Sequence, residues 1–192
     1  MSDGGLAFER QVALGTAQEL MKVFAPAVHK MEIAGSIRRE VKYVHDIDLV
    51  AWPKYEDIGQ PVLFGEGSGE MYPSQLVDLV KQYADMMAIG PKMDEFKPGG
   101  KIIKFERCGI PVEIYLVEPD GSNWGALLQC RTGSAEFNRR LATEAIKLGL
   151  RYSAGYGLYE KPGVRMDDDT EEDILRQLGI SEWYLDPTRR QS

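Results

Sequence analysis

The chain has 192 residues, 43% of them hydrophobic and 28% charged, with a formal net charge of −7. That length suits one domain or a compact pair of subdomains, and it is enough to bury a sizeable core. No apolar run reaches the roughly 18–20 residues of a membrane helix, so no membrane partner is expected. Met1-Ser2-Asp3-Gly4-Gly5 carries no basic and apolar leader, and a cytoplasmic location is the expectation. Cys108 and Cys130 stand in unrelated contexts and read as reduced thiols. His29 and His45 are the only histidines, which leaves no zinc-ligand spacing.

In chain order, residues 6–28 read as an amphipathic helix, with Phe8, Val12, Leu20, Val23 and Phe24 at helical spacing. Met31 to Ala34 is a short strand ending at Gly35-Ser36, and Asp46 to Trp52 is the next, stopped by Pro53. Lys54 to Pro73 reads as a Gly-, Pro- and acid-rich loop, and Ser74 to Ala88 as a second helix. Gly90 to Gly100 is a polar loop. Lys101 to Glu106 and Val112 to Val117 alternate like two strands joined through Cys108-Gly109-Ile110-Pro111. A short helix is predicted over Asn123 to Cys130. A longer one follows, N-capped by Ser134, lined by Phe137, Leu141, Ala145 and Leu148, and ended by Gly149. Small strands are predicted over 150–165. The last helix runs from Thr170 to Leu178, with Thr170 and Asp173 at the spacing of a capping box. A subdomain boundary near 120–134 follows from the change in character after Pro119-Asp120-Gly121. The acidic run from Asp167 to Asp173 lacks the glycine and spacing of a calcium loop, and reads as a solvated helix start.

The decisive segment is Gly35-Ser36-Ile37-Arg38-Arg39 followed by Asp46-Ile47-Asp48-Leu49-Val50. Side chains of a strand alternate, so Asp46 and Asp48 share a face while Ile47 and Leu49 enter a core. Neighbouring carboxylates repel unless cations sit between them. A Gly-Ser turn offers backbone N–H groups to a phosphate, and two arginines can neutralise it. The segment therefore points to divalent metal and polyphosphate at one place. A D-x-D pair alone is more often a solvated strand end, so the upstream turn carries much of this argument.

Charge is unevenly placed. Lys97, Lys101, Lys104 and Arg107 face only Glu106 within 97–107, and Arg131, Arg139, Arg140, Lys147 and Arg151 face Glu136 and Glu144 within 131–151. Local basic clusters, not global charge, set phosphate-backbone affinity, so the acidic total does not exclude nucleic acid.

These strings resemble the palm signature of family X DNA polymerases, the polymerase beta group of nucleotidyltransferases. Val112-Glu113-Ile114-Tyr115-Leu116-Val117 resembles the strand bearing the third catalytic acid. Thr132-Gly133-Ser134-Ala135-Glu136-Phe137-Asn138 resembles the segment at the nucleotide pocket. Thr170 to Leu175 with Tyr184 and Pro187 resembles the last thumb helix and tail. The resemblance implies an α+β fold: a palm over 1–120 with a mixed sheet and flanking helices, and a small α/β thumb over 121–192. It implies two Mg²⁺ ions, with Mn²⁺ as the alternative, at Asp46, Asp48 and Glu113, the catalytic trio. It further implies nucleotide contacts from Gly35, Ser36, Arg39, Gly133, Ser134 and Asn138. Lys101, Lys104, Arg139 and Arg140 are the expected DNA contacts. The implied partners are a dNTP and primer-template or gapped DNA, with the chain a monomer, cytoplasmic or nucleoid-associated.

The chain departs from that pattern at three points. The third acid is Glu113 where the group has aspartate. Cys130-Arg131 replaces the aromatic residues that usually wall the sugar, which puts sugar discrimination in doubt. No lyase domain or helix-hairpin-helix segment is found before the palm motif. Two further functions compete with a gap-filling polymerase. One is untemplated nucleotide transfer to RNA, a protein or a small molecule. The other is a catalytically silent scaffold, opposed by the three occupied acidic positions.

Overall fold

A computed structural model describes residues 6–57, 71–84, 100–161, 164–166 and 170–191. The first half contains β1 (Phe8–Glu9), α1 (Arg10–Phe24), β2 (Val28–Ile33), α2 (Gly35–Arg38), β3 (Tyr43–Val44), β4 (Ile47–Pro53), β5 (Glu56–Asp57), β6 (Met71–Tyr72) and α3 (Ser74–Tyr83). The second contains β7 (Ile102–Arg107), β8 (Ile110–Leu116), α4 (Trp124–Thr132), α5 (Ala135–Lys147), β9 (Arg151–Ser153), β10 (Gly157–Lys161), β11 (Val164–Arg165) and α6 (Glu171–Gln177).

Helix α1 is shorter than its periodicity suggests. Phe8 pairs with Val44 and Glu9 with Tyr43, so the chain enters as strand, and Pro26 sits in the 3-10 turn that follows Phe24. The buried stripe is Ala13, Ala17, Leu20 and Phe24, whereas Val12, expected in the core, is 57% exposed. This stripe covers a four-stranded mixed sheet of order β2-β4-β8-β7. Strand β4 runs antiparallel to β2 and parallel to β8, which is antiparallel to β7. A parallel pair needs a long crossover, and the intervening chain with α3 supplies it.

Alternation along β4 works as expected. Ile47, Leu49 and Ala51 are buried with α1 and α3, while Val50 and Trp52 face the other way onto α4. Strands β7 and β8 close through Cys108 and Gly109, whose φ angles of 53° and 74° are both left-handed, as a two-residue hairpin turn requires. The turn is thus shorter than the Cys108–Pro111 link expected. Lys54 to Pro73 is not wholly loop, since β5 pairs with β6 at its described ends. The expected helix residues 85–88, the loop residues 90–99 with Lys97, and Asp167 to Asp169 lie outside the described residues.

The C-terminal elements build a second core from Ala126, Phe137, Leu141, Ala145, Leu158, Ile174 and Leu175. Helix α4 belongs to both halves: Ala126 enters this core, while Leu127 and Leu128 pack on Val50, Tyr115 and Val117 of the sheet. Ser134 caps α5 by accepting from the Phe137 N–H at 3.0 Å. Both halves of the Thr170–Asp173 capping box form. Leu148, expected on the inner face of α5, is 55% exposed because the helix ends at Lys147 and the chain turns away through Gly149 at φ 71°. No helix among the described residues is long and apolar enough to cross a membrane.

Candidate active site

Strand β2 ends where the Ala34 N–H donates to the Asp48 carbonyl at 2.9 Å, so the turn beginning at Gly35 is pinned against β4. Gly35 has φ +59°, and a Cβ there would lie 1.8 Å from Asp48 Oδ2. Only glycine lets this turn close over that carboxylate. Asp46 immediately precedes β4, Asp48 is its second residue, and Glu113 is the register partner of Asp48 on β8.

The three acids have different electrostatic settings. Burial, then the charges of Asp46 and Glu113, push the Asp48 carboxyl up to about 7. Burial and Glu113 also raise Asp46, with His45 and Arg39 opposing. Burial acts upward on Glu113 too, but hydrogen bonds from Lys104 and Tyr115 outweigh it and leave this acid below the ordinary range. Among the described residues, no three Asp, Glu, His or Cys side chains converge as a metal-holding group. Glu113 explains this: one oxygen takes the Lys104 ammonium and the other the Tyr115 hydroxyl. Tyr115 is itself capped by the Arg131 guanidinium, 3.9 Å from its ring centre.

Beside the acids, three donors among the described residues are buried without a partner: Ser36 Oγ, Arg39 Nε and Arg131 Nε. Arg39 is anchored by its Nη1, which donates to the Thr132 carbonyl at 2.8 Å. Burial lowers its pKa although Asp48 and Asp46 pull the other way. Arg38 faces elsewhere. Its Nη1 donates to Thr132 Oγ1 at 2.6 Å, and it pairs with Glu171 on α6.

The remaining sequence-predicted residues are placed as follows. A Cβ on Gly133 would sit 2.9 Å from Asn138 Oδ1, so the turn packs against that amide. Asn138 Nδ2 donates to the Cys130 carbonyl at 2.7 Å, and its Oδ1 accepts from Gln129 at 3.2 Å. Besides its capping bond, Ser134 donates its N–H to the Arg190 carbonyl at 3.1 Å. The four basic residues all have partners within the chain: Lys101 with Glu118 at 2.5 Å, Lys104 with Glu113, Arg139 with Glu136 at 3.7 Å, and Arg140 with the Tyr184 hydroxyl at 2.6 Å. Sequence reasoning missed Tyr115, although it stands two residues from Glu113 on the same strand face. It also missed Glu171 and the buried Arg190, whose Nη1 donates to Glu171 Oε1 at 2.5 Å.

Residues 127–191 match the family model described as DNA polymerase beta thumb. The whole structure resembles the polymerase beta of Leishmania infantum, solved as a ternary P/T complex. The TM-score is 0.64 at 19% identity, over 97% of this chain and 77% of that one. No curated protein matches by sequence. The chain thus has a polymerase beta-like fold, and its C-terminal third matches the polymerase beta thumb model. Its mixed sheet and flanking helices follow the polymerase beta architecture, and its C-terminal part carries a polymerase beta thumb.

Proposed function

We propose that the chain is a repair-type DNA polymerase that moves a nucleotide from a dNTP to a primer 3′-hydroxyl. The observation carrying this reading is the set of orphaned donors, Ser36 Oγ, Arg39 Nε and Arg131 Nε, buried beside the mutually repelling Asp46 and Asp48. Orphaned buried donors call for an anion, and repelling carboxylates call for cations. A metal-bound triphosphate answers both.

The residues fit divalent ions. Asp46 and Asp48 supply hard oxygen ligands, and Glu113 on the adjoining strand supplies a third once it turns from Lys104. Two Mg²⁺ ions held there, or Mn²⁺ in their place, would activate the 3′-hydroxyl and neutralise the pyrophosphate leaving group. Ser36 and Arg39 bind the β- and γ-phosphates, and Gly35 keeps the backbone close to them. Arg39 is pre-positioned for this by its bond to Thr132. Gly133 and Ser134 form the turn beneath the sugar. Asn138 fixes that turn through Cys130 and Gln129, and must release them to reach a base edge in the minor groove. Lys101, Lys104, Arg139 and Arg140 exchange their intrachain partners for backbone phosphates. The thumb match over residues 127–191 favours a duplex substrate over a small acceptor.

The test supplies one-nucleotide-gapped duplex DNA, labelled dNTPs and Mg²⁺. Template-directed extension that disappears in Asp48→Asn is the expected result. Tailing of RNA without a template would replace this reading with untemplated nucleotide transfer. Absence of transfer to any acceptor would leave a silent scaffold.

A further inference from the structure

We infer that Glu113 is a two-position carboxylate: Lys104 and Tyr115 hold it away from Asp46 and Asp48, and a nucleic-acid phosphate that engages Lys104 releases it. The inference rests on the polymerase reading and adds how DNA controls completion of the metal site. Lys104 and Tyr115 act here as positioning residues.

The geometry begins with strand register. Asp48 on β4 pairs with Glu113 on β8, and Glu113 pairs with Lys104 on β7. Directly paired residues share a sheet face, with Cβ atoms about 4.5–5.5 Å apart. Glu113 therefore stands midway between an acid and a base in one row. It leans toward the base, with both oxygens occupied there. Among the described residues, Asp46, Asp48 and Glu113 accordingly do not form a metal-holding group of three.

The two restraints differ in mobility. Tyr115 is 6% exposed and lies under Arg131, so its hydroxyl is a fixed post. The Lys104 side chain is 48% exposed on the edge strand of the sheet. An exposed lysine pair is weak, and a polyanion with its counterion release competes well for the ammonium. Once Lys104 leaves, Glu113 keeps only a neutral hydroxyl partner, while the ions at Asp46 and Asp48 draw it across. The extra methylene of glutamate makes both positions reachable. An aspartate at 113 is one methylene shorter, so it holds the Lys104 and Tyr115 partners together less well and is biased toward the metal side.

The experiment measures Mn²⁺ binding to the full chain without nucleotide, by the paramagnetic resonance of free Mn²⁺. It is run with and without saturating gapped duplex DNA, and the ion uptake of DNA alone is subtracted. Wild type should bind Mn²⁺ about tenfold more tightly with DNA, within the usual range of coupling between sites. Glu113→Asp and Lys104→Met should bind tightly without DNA and gain less than about twofold from it. Equal wild-type affinity with and without DNA overturns the inference, as does a full DNA-linked gain in Glu113→Asp. Asp48→Asn separates the two levels. If it still binds Mn²⁺ like wild type, the metal reading itself fails; if it abolishes binding, a missing DNA effect counts against the Glu113 mechanism alone.

Discussion

Arg38 and Glu171 close a two-pronged ion pair between α2 and α6, Nη1 to Oε1 at 2.9 Å and Nη2 to Oε2 at 2.6 Å. Arg190, fully buried, shares Oε1 and donates its Nε to the Tyr184 carbonyl at 2.6 Å. Adjacent residues thus divide the work: Arg38 ties the thumb down while Arg39 faces the acids. The turn beginning at Gly35 and helix α6 are thereby mechanically one unit.

Removing Glu171 leaves two arginines without their shared counter-ion, one of them wholly buried. Breaking a buried pair from one side costs about 3–5 kcal/mol, so Glu171→Gln should lose that much in urea unfolding. Burial alone would raise the Glu171 carboxyl, but the bonds from Arg38 and Arg190 hold it below the ordinary value of 4.5. A depressed acid contributes stability above its unfolded pKa and loses it as pH falls through the folded value. The gap between wild type and Glu171→Gln should therefore be full at pH 7 and shrink as pH drops below about 4.5. An equal gap at pH 7 and pH 3 would contradict this account.

Asp48 titrates in the opposite sense. In the unfolded chain it ionises near 3.8, whereas burial and its acidic neighbours hold its proton on to about 7 in the fold. Between those values the folded state binds more protons, so metal-free stability falls as pH rises. A shift of this size corresponds to on the order of 4 kcal/mol, fully developed above pH 7. Asp48→Asn cannot ionise. It should be inactive yet more stable than wild type at pH 8 without metal, with the gain fading by pH 4. Denaturant titrations at both pH values check this, and a variant less stable at pH 8 would disprove it.

Gly35→Ala should fail for two separable reasons. Its φ of +59° disfavours a Cβ by roughly 1–2 kcal/mol. The added methyl would also meet Asp48 Oδ2 at 1.8 Å and push that carboxylate aside. Displacement by an ångström costs on the order of 100-fold in rate, so kcat on gapped DNA should fall at least that far while the chain still folds. Activity within a few-fold of wild type would mean that this close contact has no role in transfer.

What could be seen in the sequence is what depends on neighbours along the chain. Alternation placed Asp46 and Asp48 against Ile47 and Leu49, and capping spacing placed Ser134 and Thr170, because each effect acts within a few residues. What escaped depends on distant pairings. Phe8 joins a strand because Val44 is opposite it, and that shortens α1. Lys101 and Lys104 looked like free charge, but their acids lie across a hairpin at Glu118 and Glu113. Arg190 carries no local mark of burial, because the acid that makes burial tolerable sits 19 residues earlier.

Sugar selection is the last expectation. The two positions before Thr132, aromatic in the polymerase beta group, are here Cys130 and Arg131. Arg131 is already stacked on Tyr115, and Cys130 is half-buried with its carbonyl taken by Asn138. Neither presents an aromatic face to a ribose. A missing apolar contact of this kind is worth roughly 1–3 kcal/mol of discrimination, or about 10–200-fold. Ribonucleotides should therefore be used within about tenfold of deoxyribonucleotides in kcat/KM on the same gapped DNA. Cys130→Tyr should widen the ratio by disfavouring the ribonucleotide, with little change for the dNTP. Steady-state single-nucleotide insertion with matched dNTP and rNTP pairs measures both, and a wild-type preference above about 1,000-fold for the deoxy sugar would show that another residue guards the 2′ position.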